Sequence, residues 1–297
     1  MVTPRLSVLV TGATGKQGGA VVRSLLSRGH RVLALTRNPD SPEASKIRRW
    51  GAEIVRGSME DRASMATAMK GADAVFLVTT PLHAGADSEL WQGISVTDAA
   101  RAVGARHLVY SSIPQARTRT GVTVFDSKAS IEAYIQSAAV PYTILAPSFF
   151  MENLCGPYHL PGLHEGRFTM PLSPGCKLQM VPISNLASFV TLVLEAGQRF
   201  HGQRIELASD EHTPAEIAEV LSRAICRNVR HYRTPKHELL AWSKELASVY
   251  EWLERVGTSI DIPSLLHEYS QVSWQSLQTW AEMQPWGFLT RVVEELV

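Results

Sequence analysis

A chain of 297 residues is long enough for one large domain, or one domain with a smaller companion, and 45% hydrophobic residues can fill a sizeable core. Lys plus Arg (29) nearly balance Asp plus Glu (28), so no global field favours nucleic acid or an anionic membrane, and neither is expected as a direct partner. Cys155, Cys176 and Cys226 are far apart and read as free buried thiols of a reducing compartment; with no signal-peptide pattern and no apolar run that could span a bilayer, the expected location is the cytoplasm.

The chain opens on Val8, Leu9 and Val10, an apolar run suited to a strand buried on both faces. Gly12, Gly15 and Gly18 then bring the backbone round a tight turn into a helix over 17–28 that ends at Gly29. Such a turn presents unpaired amides and the positive end of a helix, which suits a pyrophosphate, with Thr14, Lys16 and Gln17 on the same turn. Glycines also mark ordinary turns, so the order strand, turn, helix carries the assignment.

Strand two is expected over 31–36, a short helix over 44–50 and strand three over 53–56. Ser58 or Asp61 caps a helix running to Lys70; strand four covers 74–79, a loop through Pro81, His83 and Gly85 follows, and a long helix spans about 88–103. Strand five is 107–111. The polar stretch 113–124 reads as an exposed loop, Asp126 as the cap of a helix over 127–138, and 142–146 as strand six. The alternation implies an α/β fold, a doubly wound parallel sheet that binds a nucleotide at its carboxyl edge.

After Pro147 the alternation lapses. Residues 151–180 read as loops and hairpins; a strand-like start and helix over 181–196 and a strand over 204–208 follow, and Thr213 and Pro214 open a helix to Ala224 in the N-cap and first-turn arrangement. The rest is mostly helical. Expected boundaries are a dinucleotide domain over 1–150, completed by 181–209, and a substrate- or partner-binding region over 151–180 and 210–297. Five of the seven tryptophans (Trp242, Trp252, Trp274, Trp280 and Trp286) fall in the last quarter and read as core packing of a helical cap ahead of a substrate-facing wall.

Arg37 follows strand two, where a dinucleotide-binding sheet meets the adenosine ribose. No carboxylate lies between Val32 and Pro39 to accept the ribose hydroxyls of NAD, whereas an arginine suits a 2′-phosphate; this favours NADP(H), with Asn38 as support. Thr79 and Thr80 end strand four and can line the route to the nicotinamide. Ser111 and Ser112 end strand five, and Lys128, one turn into the next helix, is either a surface lysine or an amine that holds a ribose and assists protonation. No metal-ligand spacing and no nucleophile turn is present in the sequence.

The chain resembles the NmrA-like family of atypical short-chain dehydrogenase/reductase proteins in VTGATGKQGGAVV, TRNP, GADAVFLVT, HLVYSS, FDSKASIEAYI around Lys128, PSFFMENL, HTPAEIAEVLSRA and NVRHYRTP. The resemblance implies a Rossmann domain with a smaller C-terminal region and NADP(H) as the nucleotide. It leaves two activities open: an NADPH-dependent reductase of a small quinone, enone or aromatic carbonyl compound, or a non-catalytic NADP(H) redox sensor acting on a protein such as a transcription factor. In the enzyme, Lys128 holds the nicotinamide ribose or assists protonation, and Ser111 or Ser112 positions the carbonyl. Two departures stand out. Val124 occupies the position four before Lys128 where such reductases carry the tyrosine proton donor, and Ser58-Met59 replaces an aspartate near the adenine.

Overall fold

The computed structural model describes residues 5–287 apart from 80 and 118, together with the side chains of all of these except 81–84 and 117. Its strands are β1 (Ser7–Val10), β2 (Arg31–Thr36), β3 (Glu53–Arg56), β4 (Ala74–Leu77), β5 (His107–Ser111), β6 (Tyr142–Pro147), β7 (Phe149–Phe150), β8 (Arg167–Met170), β9 (Leu178–Val181), β10 (Gln203–Leu207), β11 (Asp210–His212) and β12 (Arg230–Arg233). Its helices are α1 (Lys16–Ser27), α2 (Pro42–Arg49), α3 (Arg62–Ala68), α4 (Pro81–Ala102), α5 (Thr123–Ser137), α6 (Leu160–His164), α7 (Ile183–Ala196), α8 (Pro214–Ile225), α9 (Lys236–Trp242), α10 (Lys244–Val256), α11 (Ile262–Glu268) and α12 (Leu277–Glu282). The chain divides into two compact units, Met1–Pro147 with Ile183–Glu206, and Ser148–Pro182 with Leu207–Val297.

The first unit holds a seven-stranded sheet in the order β10-β6-β5-β4-β1-β2-β3, parallel from β3 through β6. Because successive side chains alternate across a sheet, Leu9, Val75, Leu77, Leu108, Tyr110 and Ile144 share one face and pack with Met65, Val96, Ile131 and Ile135 of α3, α4 and α5. On the order of 1.5–3 kcal/mol per fully buried aliphatic side chain makes this face a main support of the unit. The order reverses at β1, whose neighbours are β2 and β4, and this switch point is where a doubly wound sheet opens a crevice at its carboxyl edge.

The second unit contains more strand than a mostly helical region would have: a three-stranded sheet β11-β9-β7 and the parallel pair β12-β8. The strand Arg230–Arg233 escapes the sequence because its RHYR lacks the apolar alternation of a half-buried strand. Its core joins Met151, Leu154, Phe168, Met180, Leu221, Tyr250, Leu277, Trp280 and Trp286. Tryptophan use is therefore mixed: Trp280 and Trp286 are buried, whereas Trp242 is exposed and stacks on Tyr158 at 4.7 Å between ring centroids.

Several local expectations change. Asp61, not Ser58, caps α3, accepting from the Ala63 and Ser64 amides. The helix expected from 88 begins at Pro81 and breaks at Gly85, whose φ of 78° and ψ of 169° fit glycine alone. Asp126 does not cap α5, which starts three residues earlier behind Val122; its carboxylate instead reaches back to the Thr120 and Gly121 amides and fixes the end of the preceding loop. That loop is also not wholly irregular, since Pro114–Arg117 forms a 3-10 turn. Thr213 and Glu216 form a reciprocal capping box on α8. The three cysteines are free, but Cys226 is exposed and Cys155 and Cys176 are half-buried, so none is the fully buried thiol expected.

Candidate dinucleotide and catalytic site

The glycine turn joins β1 to α1. Gly12 takes a left-handed φ of 56°, and a Cβ on Gly18 would lie 2.2 Å from the Gly12 carbonyl oxygen, inside the backbone itself. Only glycine permits the helix to start this close to the strand. Gly15 is the N-cap of α1, contributes no side-chain cap, and no acid lies in the first turn, which leaves the positive helix end to an external anion. Thr14, Gly15 and Lys16 are exposed. Thr11 binds the β4 side of the crevice through Val78, its hydroxyl donating to the carbonyl (3.1 Å) and accepting from the amide (2.8 Å).

On the β2 side, Arg37 is exposed and makes no hydrogen bond among the described residues. Asn38 is a turn former: its side-chain oxygen accepts from the Asp40 amide, and its carbonyl accepts from Thr36 and Ser41. Near Arg37 lies a carboxylate that sequence reasoning passed over. Glu60 Oε1 accepts from Gln92 (3.1 Å) and Ser88 (3.0 Å), bonds that with the Arg37 charge hold its pKa below the usual carboxylate value.

The β4 side carries a closed polar cluster. Lys128, on α5, is buried, donating to Glu89 Oε1 at 3.0 Å and to the Thr79 hydroxyl at 3.4 Å. Glu89, fully buried on α4, also accepts from Thr79 (2.6 Å) and from Ser127 (2.5 Å). Burial works against the Lys128 ammonium, but Tyr110 and Glu89 outweigh it and keep its pKa above the ordinary lysine value. The fully buried Tyr110 phenol, which has no hydrogen-bond partner of standard geometry among the described residues, is pushed up to about 12 by desolvation and stays protonated. Thr80 lies outside the described residues, as does the His83 side chain.

Both serines are buried and occupied. Ser111 donates to Gln17 Oε1 at 2.7 Å, tying strand five to the phosphate turn, and Ser112 donates to Glu132. Glu132 also receives Arg204 (2.8 Å), whose guanidinium further holds Glu206 and the Ile113 and Pro114 carbonyls. Ser112 thus belongs to a structural network, whereas Ser111 faces the nucleotide turn.

Glu89 was hidden inside an amphipathic helix. The trace it leaves is a charged residue on the buried stripe Glu89, Gln92, Gly93, Val96, the i, i+3, i+4, i+7 face. Gly93 explains how the pair forms: a Cβ there would meet Ile131 at 2.7 Å, so its absence lets α4 approach α5 one turn from both Glu89 and Lys128.

The NmrA-like family model matches residues 5–283. The chain belongs to the NmrA-like family. It is 27% identical over 241 residues to an NmrA-like family domain-containing protein of Dictyostelium discoideum, covering 75% of this chain and 79% of that one. It is 30% identical over 226 residues to a (4-alkanoyl-5-oxo-2,5-dihydrofuran-3-yl)methyl phosphate reductase of Streptomyces griseus, covering 75% of each. Among solved structures, NmrA, a negative transcriptional regulator in complex with NADP, superposes with a TM-score of 0.80 at 19% identity, covering 97% of this chain and 98% of that one; at that identity the likeness speaks for the doubly wound fold alone. Among the described residues no helix is long and apolar enough to cross a membrane, and no group of His, Cys, Asp and Glu is arranged to hold a metal.

Proposed function

We propose that this NmrA-like protein binds NADP(H) and reduces a small quinone, enone or aromatic carbonyl compound. The observation that carries this is the buried Lys128–Glu89 pair beside Thr79 at the β4 edge of a crevice whose other side offers the bare glycine turn and the exposed Arg37. The residues fit the dinucleotide: Gly12 and Gly18 leave a cradle that a Cβ would fill, the uncapped start of α1 suits a pyrophosphate, and Arg37 suits a 2′-phosphate. NADPH supplies a hydride when bound. Lys128 offers a fixed cation with one N–H left for a ribose or a substrate oxygen, and the Ser111–Gln17 bond keeps the phosphate turn in register with strand five.

The proton is the limiting element. Val124 has none to give, the Ser111 and Ser112 protons point at fixed acceptors, and the Lys128 ammonium is held by Glu89. Substrates whose reduced form protonates from solvent suit such a site. The Streptomyces relative acts on what its name describes as an alkanoyl-bearing oxo-dihydrofuran, an alkene conjugated to carbonyl groups, which supports the enone class. The same lack of a donor supports a second reading, an NADP(H) sensor that regulates a protein.

Titration with NADPH and NADP+, followed by a screen for NADPH oxidation across quinones, enones and aromatic aldehydes, separates the two. Turnover that is lost in Lys128→Ala with binding retained supports the reductase. Tight binding without oxidation across the panel overturns it in favour of the sensor.

A further inference from the structure

We infer that Glu89 is a positioning residue that acts through charge: it balances Lys128, and so sets how strongly the site discriminates between the oxidised and the reduced nicotinamide. The inference rests on the NADP(H) reading above. A nicotinamide ring is a cation when oxidised and neutral when reduced, so any fixed charge beside it separates the affinities of the two forms.

The strand order fixes which half of the dinucleotide lies where. With the switch point at β1, the adenosine side of the crevice lies over β2 and β3, where Arg37 stands, and the nicotinamide side lies over β4 and β5. Thr79 and Lys128 are therefore on the nicotinamide side. An unbalanced ammonium there would repel the oxidised ring.

Glu89 removes that repulsion, and the geometry is suited to nothing looser. Its side chain is fully buried, and both oxygens are occupied: Oε1 by Thr79 and Lys128, Oε2 by Ser127. The carboxylate cannot turn toward solvent or toward a substrate without giving up three hydrogen bonds. Among the groups around the pair, Tyr110 stays protonated, and the acid next along α5, Glu132, is paired with Arg204, which Glu206 shares. The Lys128 side chain keeps 11% exposure while Glu89 has none, so the cation is the more accessible member of the pair.

The test is the ratio of dissociation constants for NADP+ and NADPH, read by calorimetry or by quenching of protein fluorescence, with no substrate present. Glu89→Gln strands the ammonium and should raise the ratio by about tenfold, the scale of an uncompensated charge in a protein site. Lys128→Met strands the carboxylate and should lower it by a similar factor. The double variant Glu89→Gln/Lys128→Met restores neutrality and should return the ratio to within about twofold of the parent.

A purely structural role would weaken both nucleotides together, and equal weakening in both single variants overturns the inference while leaving NADP(H) binding intact. Failure of the parent chain to bind either nucleotide overturns the cofactor reading and takes this one with it. If one single variant does not fold, the sign of the shift in the other, together with its reversal in the double variant, still decides.

Discussion

The two halves of the crevice are made by opposite means. At the phosphate turn, side chains are withheld: Gly12, Gly15 and Gly18 bare the backbone, no side chain caps α1, and Arg37 stands exposed after β2. At the lysine cluster, side chains satisfy one another almost completely, with Thr79, Ser127 and Lys128 all donating to Glu89. The contrast teaches where the energy of a ligand can go. An open half gains its hydrogen bonds from the ligand, whereas a closed half already has them and contributes mainly shape and field.

Substitutions should divide along that line. The largest effect is expected for Lys128→Met, which leaves the Glu89 carboxylate buried without its cation; unfolding in urea should show a loss of about 3–5 kcal/mol. A loss below about 1 kcal/mol would mean the cluster is not closed. The pH response has a defined sign: the Lys128 pKa is raised above 10.5, so its stabilisation is complete below that value and fades only as pH rises through the higher folded-state value. Stability measured in urea between pH 6 and 9 should therefore show the full contribution of this group and no pH dependence arising from it.

Gly18→Ala comes next, with the opposite balance. Its methyl meets backbone at 2.2 Å, so stability should fall by about 1–3 kcal/mol, while NADPH titration should show binding lost altogether. Retained binding would break the view of the turn as a cradle. Arg37→Glu should leave the unfolding curve within about 0.5 kcal/mol of the parent, since the side chain is exposed, yet weaken NADPH against NADH by about tenfold or more. Equal loss for both nucleotides, or none, removes Arg37 as the discriminator. The smallest change is expected for Ser111→Ala, which deletes the bond joining the two halves; about 1 kcal/mol of stability should go, and nucleotide affinity should move less than in Gly18→Ala.

The open half was legible in the chain because its signals are local. Three glycines, a preceding β-branched strand and an arginine after strand two lie within about thirty residues, and backbone geometry follows from such neighbours. The fold class was legible for a similar reason, since each strand and helix of the alternating half carries its own period. The closed half was not. Glu89 and Lys128 are thirty-nine positions apart, and what joins them is the packing of α4 on α5, a long-range event that no local pattern encodes. Asp126 shows the same limit at short range: the sequence suggests a cap, but the carboxylate found better donors upstream at Thr120 and Gly121 once α5 began earlier.

Gly93 gives this difference a practical use. Its hydrogen, where any other residue has a carbon, acts as a spacer gauge between two helices, and the gauge reading decides whether an acid on one reaches an amine on the other. A chain with the same lysine but a bulkier residue at this position would hold its helices apart and leave that amine without its acid. Position 93, which touches neither member of the pair through a side chain of its own, is thus a marker for sorting similar chains by whether this lysine meets its acid.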